Sequence, residues 1–201
     1  MRGCLSLVVV TGIVLTVACS QKPPPGEILK ELSGIEQKDR IAIGWVYQVH
    51  ELNVIVLRGK PEMVRYSITT DEGEKIVASR EQPAKLRDGT DALRSPDGRW
   101  ITYRSKDNKF VLAAASGQVQ RMLLDGRRVV TPLQWSPDSK YLLYVQKGRT
   151  WDTAALRCGN DAFYVMVYRL SDGLSGSVFQ GCQGYPYWEL QWLRVPADLP
   201  L

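Results

Sequence analysis

The feature that most constrains this fold is a repeat. LRSPDGRWITYR at 93–104 returns as QWSPDSKYLLYV at 134–145, with Ser136 lying 41 residues after Ser95. Ser95-Pro96-Asp97-Gly98 has the composition of a type I turn. Ser suits its first position, Pro presets φ to about −65° at the second, and Asp and Gly suit the third and fourth. Trp100, Thr102 and Arg104 then alternate with Ile101, Tyr103 and Ser105, which is the period of a strand. The second copy carries Ser136-Pro137-Asp138, with Tyr141 in the place of Trp100, Leu142 in that of Ile101 and Tyr144 in that of Tyr103. Each copy reads as strand, tight turn, strand.

A third echo, ELQWL at 189–193, aligns with PLQWS at 132–136 but lacks the Pro-Asp turn. It comes 57 residues on, and the 16 extra residues fit an insertion around GRTWDTAALRCGND at 148–161. A period of about 40–45 residues is that of one four-stranded propeller blade. Second hairpins are expected at 64–79, 110–123 and 163–179, each with apolar runs around a glycine-containing turn. A first blade, roughly 41–80, opens with IAIGWVYQV and NVIVLRG.

SPDGRWITYRS and QWSPDSKYLLYV resemble the Pro-Asp WD-like repeats of bacterial TolB-type β-propellers. The resemblance covers about 91–193 by motif and 41–90 by pattern. It implies an all-β fold, a WD-like propeller or partial propeller of about three to four blades. It also implies that the turn aspartates are structural, capping backbone groups between the inner strands. Propellers usually have four to eight blades, whereas this chain offers three and an extra strand. A four-bladed ring with one degenerate blade, an open arc, and closure through a partner chain all remain open. GEILKELSGIEQKDR at 26–40 is expected to form a short helix with Ile28, Leu29, Leu32 and Ile35 on one side, placed to cover an open edge.

The N-terminus reads as an export signal. Arg2 is followed by an uncharged run from Cys4 to Ala18, shorter than the ~20 apolar residues of a membrane-spanning helix. LTVAC at 15–19 resembles a bacterial lipobox, which implies cleavage before Cys19 and a lipid on its sulfur. The expected organisation is a signal peptide at 1–18, a lipidated Cys19 with a Pro-rich spacer and helix at 19–40, and a propeller-like domain at 41–201. Two or more acyl chains hold a bilayer far more firmly than one, and SQKPPPGE is a stiff extended spacer. The lipobox resemblance further implies that Ser20, being a residue other than Asp after the cysteine, goes with outer-membrane sorting to the periplasmic face if the cell is Gram-negative, with inner and outer membrane both left open.

With Cys4 removed and Cys19 lipidated, Cys158 and Cys182 remain, and an exported domain favours a disulfide between them. The formal net charge is +5, or +4 once Arg2 has left with the signal. This charge reads first as an ordinary solvated surface; otherwise a basic exported protein can meet anionic lipid, lipopolysaccharide or cell-wall polymer, and nucleic acid is not an expected partner in that compartment.

Little in the chain points to catalysis. His50 is the single histidine, GLSGS at 173–177 misses the last glycine of a nucleophile elbow, and there is no phosphate loop, calcium loop or C-x-x-C. No cofactor or metal is expected. Asp71, Glu72 and Glu74 are expected in one hairpin turn. Trp135 and Trp192 are candidates for packing between blades. Trp151, Tyr185, Tyr187 and Trp188 fall in segments that exceed the repeat and form the expected binding surface. The expected function is non-catalytic: a lipid-anchored envelope protein whose propeller-like domain binds a protein or polymer. The alternative is a small-ligand-binding or hydrolytic propeller with a site assembled across blades.

Overall fold

The computed structural model describes residues 25–78, 84–85, 91–116, 118–131, 133–148, 162–182 and 189–200. Among these, three antiparallel sheets dominate. The first is built from β1 (Ile41–Tyr47), β2 (Glu51–Val56), β3 (Glu62–Ser67) and the last strand, β13 (Gln191–Arg194), in the order β13-β1-β2-β3. The second runs β4 (Ala84–Lys85), β5 (Asp91–Arg94), β6 (Trp100–Arg104), β7 (Lys109–Ala114) and β8 (Val119–Asp125) in sequence order. The third is β9 (Gln134–Trp135), β10 (Tyr141–Lys147), β11 (Phe163–Arg169) and β12 (Ser175–Gly181), also in sequence order.

The strand that looked surplus in the sequence completes the first sheet. The ELQWL echo supplies β13, which pairs with β1 from Ile41↔Arg194 to Gly44↔Gln191. The first and last strands of the described sheets therefore share one sheet, as in a propeller-like fold. β5, β9 and β13 are equivalent inner strands, and side chains link them. Trp135 Nε1 donates to the Leu93 carbonyl at 3.2 Å, and Gln134 Nε2 donates to that of Leu190.

The third sheet lies between the other two, which explains the unbroken apolar run YLLYV. Tyr141, Leu143 and Val145 face one way and pack with Ile43, Trp45 and Ile55 of the first sheet. Leu142 and Tyr144 face the other way and pack with Leu93, Phe110 and Leu112 of the second. The far face of the first sheet, including Val46, Leu52 and Val54, is covered by Ile68, Ile76 and Leu199.

Helix α1 (Pro25–Asp39) begins with proline at its first position, where no intrahelical N–H is needed, and has Glu27 in its first turn and Lys38 in its last. Ile28 and Leu32 are each 2% exposed and join the core shared by the first and third sheets. The helix thus seals the seam between two sheets. Ile28 Cδ1 packs over Gly176 of β12, where a Cβ would sit in ordinary contact at 3.4 Å.

One expected hairpin is absent. Residues 64–79 contain strand β3 and then helix α2 (Thr70–Ala78), and Asp71, Glu72 and Glu74 sit on that helix. The cause is a capping box. Thr69 N donates to Glu72 Oε2 at 2.9 Å while Glu72 N donates to Thr69 Oγ1 at 3.3 Å. Gly73 is buried where a Cβ would lie 1.8 Å from the Val49 carbonyl, so this glycine serves close packing against the β1–β2 turn. That turn is strained, with Val49, a β-branched residue, at φ +56°.

Glu36 of α1 is fully buried. Its Oε2 accepts from Leu57 N at 3.1 Å, and Oε1 has no hydrogen-bond partner among the described residues. Burial pushes its pKa up, against the opposing pull of the Leu57 amide and the Arg58 charge. The folded state therefore holds this proton to higher pH than the unfolded chain does. Stability falls as pH rises from about 4.5, the ordinary glutamate value, through the raised folded pKa. Glu36→Gln is expected to flatten that dependence and to stabilise the protein near neutral pH by about 1–3 kcal/mol. Denaturant melts of both proteins across pH check this, and parallel curves would contradict it.

Candidate functional site

The two Ser-Pro-Asp turns have the same construction. Ser95 Oγ accepts from Trp100 N at 2.9 Å and donates to Asp97 Oδ1 at 2.6 Å, and Asp97 Oδ1 also accepts from Arg99 N at 3.1 Å. In the second copy, Ser136 Oγ accepts from Tyr141 N at 2.9 Å and donates to Asp138 Oδ1 at 2.6 Å, which accepts from Lys140 N at 3.1 Å. Gly98 N and Ser139 N close the type I turns onto the Ser95 and Ser136 carbonyls at 2.8 and 2.9 Å. The Ser95 hydroxyl and Arg99 amide hold Asp97 down to about 2, so it is a committed acceptor rather than an acid.

The copies differ at one place. Both fourth residues adopt left-handed backbone, Gly98 at φ +73° and Ser139 at φ +61°. Glycine takes this conformation freely and serine does not. Ser139 has a compensating contact: its Oγ accepts from Asp97 N at 3.0 Å, tying one turn to the other across two sheets.

Beside the joined turns lies a cleft of about 640 Å³ between the second and third sheets. Arg99, Trp100, Leu112 and Arg121 line one wall, Ser139, Lys140, Tyr141, Arg169, Leu170 and Ser171 the other, and Glu31 of α1 forms part of the rim. Each turn projects a cation from the position after its fourth residue. Arg99 pairs with Asp97 at 2.7 Å and Lys140 with Asp138 at 3.6 Å, yet the cations are 75% and 72% exposed against 28% and 32% for the carboxylates. The aspartates are drawn back into the turns and the positive charge faces out.

Arg169 is buried at the end of β11 and bonds Asp172 and Glu31, with Glu27 at 3.5 Å. Hydrogen bonds to Asp172 and Glu31 raise its pKa further, and those from Arg169 hold Asp172 below the usual carboxylate range. Burial pushes Glu31 up, but hydrogen bonds from Tyr141 and Arg169 outweigh it, so Glu31 sits low. Burial and the Glu31 hydrogen bond in turn raise the Tyr141 phenol. This network ties α1 to the third sheet and stays charged across the physiological range. Arg121 differs from the other three cations. It lies over the Tyr168 ring at 5.6 Å, donates to the Leu170 carbonyl, and has no carboxylate partner among the described ion pairs.

The remaining sequence candidates lie elsewhere. His50 is exposed in the β1–β2 turn, where its carbonyl accepts from Ile68 N at 2.9 Å. Trp135 is 3% exposed in the core between the second and third sheets, and Trp192 packs against the core between the first and third. Cys182 follows β12 and is disulfide-bonded. Cys19, Cys158, Trp151, Tyr185, Tyr187 and Trp188 lie outside the described residues. The described residues contain no group of three metal-ligating side chains. The cleft was not foreseen, although its signal was present: Arg99 and Lys140 occupy one repeat position. Arg121, Arg169 and Glu31 reach the site from other elements and carry no local motif.

Models of known protein families and curated proteins give no match to this chain. Solved structures that align with it include the Cps50 (Swd1) β-propeller domain from Myceliophteria thermophila, at 16% identity over 49% of this chain and 26% of that one, with a TM-score of 0.30. An oligogalacturonate lyase from Vibrio parahaemolyticus aligns at 10% identity over 70% of this chain and 41% of that one, TM-score 0.35. Prolyl oligopeptidase B from Galerina marginata aligns at 15% over 77% and 26%, TM-score 0.30. The chain spans between about a quarter and two fifths of these structures' lengths, and the fold assignment rests on the sheet topology above.

Ser139→Ala removes the bond between the turns and keeps the unfavourable backbone, at a cost of about 1–2 kcal/mol. Ser139→Gly loses the same bond but relieves the left-handed conformation, and is expected to be roughly 1 kcal/mol more stable than the alanine variant. Urea melts separate the two, and an alanine variant as stable as wild type would remove the proposed link.

Proposed function

We propose that this protein is a lipid-anchored binding module of the cell envelope. It is held to the membrane through Cys19 and uses its propeller-like domain as a rigid scaffold rather than as a catalyst. The observation that carries this reading is the cleft at the turn end. It joins two aromatic side chains, Trp100 and Tyr141, to four cations and two serines on walls fixed by paired strands and reciprocal hydrogen bonds. Such a mixture of apolar body and oriented polar groups suits recognition. The Arg169 network has every carboxylate committed to an arginine, a tyrosine or a backbone amide, which suits support of a surface better than proton transfer.

A second contact surface is proposed from the aromatic residues that exceed the repeat. Lys147, Phe163 and Gly181 are aligned in register at the opposite end of the third sheet, next to disulfide-bonded Cys182. The aromatic residues Trp151, Tyr185, Tyr187 and Trp188 are proposed to form this second surface, with a Cys158–Cys182 bridge holding their segments together.

A photo-crosslinking residue placed at Trp100 is expected to capture an envelope component in cells, and one placed at Met122, which is 59% exposed, is not. Equal capture at both positions would defeat the cleft as the contact. Cys19→Ser is expected to abolish fatty-acid labelling, and unchanged labelling would remove the anchor. Turnover of an envelope substrate by the purified protein would overturn the non-catalytic assignment.

A further inference from the structure

We infer that the turn end of the domain docks on the anionic bilayer to which the chain is tethered, with a phospholipid phosphate entering the cleft between Arg99, Arg121 and Lys140. The inference rests on the Cys19 anchor proposed above and adds an orientation and a ligand class to it.

Tether geometry comes first. Six residue steps separate Cys19 from Pro25, the first residue of α1. At no more than about 3.6 Å per step, they hold the start of α1 within roughly 20 Å of the lipidated sulfur. The first turns of α1 lie at the cleft, where Glu27 and Glu31 bond Arg169 and Glu31 lines the rim. The helix then crosses the same end of the molecule to the first sheet, where Glu36 takes the Leu57 amide. The end bearing α1 is therefore the end that the anchor keeps near the bilayer.

The charge on that end is the second observation. Arg99 and Lys140 project from the two turns beside half-buried Arg121. Near the later turns of α1, Arg58 and Lys60 are exposed in the β2–β3 turn next to Leu57, with no carboxylate partner among the described ion pairs. Cations thus stand near both halves of the helix, while its own exposed acids Glu27 and Glu31 are held by Arg169. The surface pairs that Arg99 and Lys140 make with turn aspartates are weak and exchangeable, because both aspartates already accept from a hydroxyl and a backbone amide. A phosphate offers these cations a stronger partner. Arg121 needs no exchange, since its guanidinium is held by a ring and a carbonyl. Trp100 at the same mouth suits the headgroup boundary, where an aromatic ring can be part apolar and part wet.

The test uses the full lipidated protein reconstituted into vesicles of phosphatidylcholine alone or of equimolar phosphatidylcholine and phosphatidylglycerol. Hydrogen exchange is read at 57–61, 95–100 and 136–141. Exchange in all three segments is expected to slow in the anionic vesicles and to revert at about 1 M salt, where the screening length is about 3 Å. Arg99→Gln and Lys140→Gln are each expected to lower the docking equilibrium about fivefold with an unchanged melting temperature. Retention on both vesicles with equal exchange overturns the docking and leaves the anchor standing. Loss of the protein from both vesicle types overturns the anchor and the docking together. Full protection on phosphatidylcholine vesicles by added inorganic phosphate overturns the lipid as the source of the anion.

Discussion

The structure depends on one long-range pairing, that of β1 with β13. Residues 41–44 meet residues 191–194 in antiparallel register, so nearly the whole domain lies inside the loop this pairing closes. Without β13, β1 would be an edge strand with bare backbone groups. The far face of the first sheet would also lose Leu193 and Val195, which pack with Ala42, Val46, Leu52 and Val54. Gly44 shows how tightly β1 is held, since a Cβ there would lie 2.1 Å from the Asn53 carbonyl. The entropy of closing so long a loop opposes this contact and is offset by the apolar burial that it completes.

From that closure the other features follow in order. A closed first sheet gives α1 a fixed surface on one side, and the third sheet gives it the other through Ile28, Leu32 and the Arg169 network. The third sheet, apolar on both faces, then carries the second sheet through Leu142, Tyr144 and Trp135. The two Ser-Pro-Asp turns are brought side by side only because these sheets stack, and the bond from Asp97 N to Ser139 Oγ records that contact. The cleft is the space left where the stack opens toward the turns. Its cations are fixed to turns whose aspartates are already occupied, which separates the structural role of the repeat from its surface chemistry.

Much of this was legible in the sequence, for physical reasons that can be named. The turns were readable because Ser, Pro, Asp and Gly each have a distinct backbone or hydrogen-bonding preference. The inner strand β13 was readable as an echo because Leu190, Gln191 and Trp192 repeat Leu133, Gln134 and Trp135. Its partner was not, because nothing local distinguishes pairing with β1 from pairing within a further blade. Helix α2 was mistaken for a hairpin arm because Gly73 looked like a turn residue, while the Thr69–Glu72 capping box gave the better signal. Glu36 was overlooked although it continues the Ile28–Leu32 row at i+4, and only its partner, the Leu57 amide, had no signal in the sequence. The cleft was illegible for the same kind of reason: Arg121, Arg169 and Glu31 converge from three elements.

Closure is tested most directly by native-state hydrogen exchange across a denaturant series. The amides of β13 and β1 are expected to exchange only with global unfolding, at the same free energy as the slowest amides of β10 and β11. If β13 instead opens at markedly lower free energy while β1, β10 and β11 stay protected, the C-terminal strand is an appendage and the closure account is wrong.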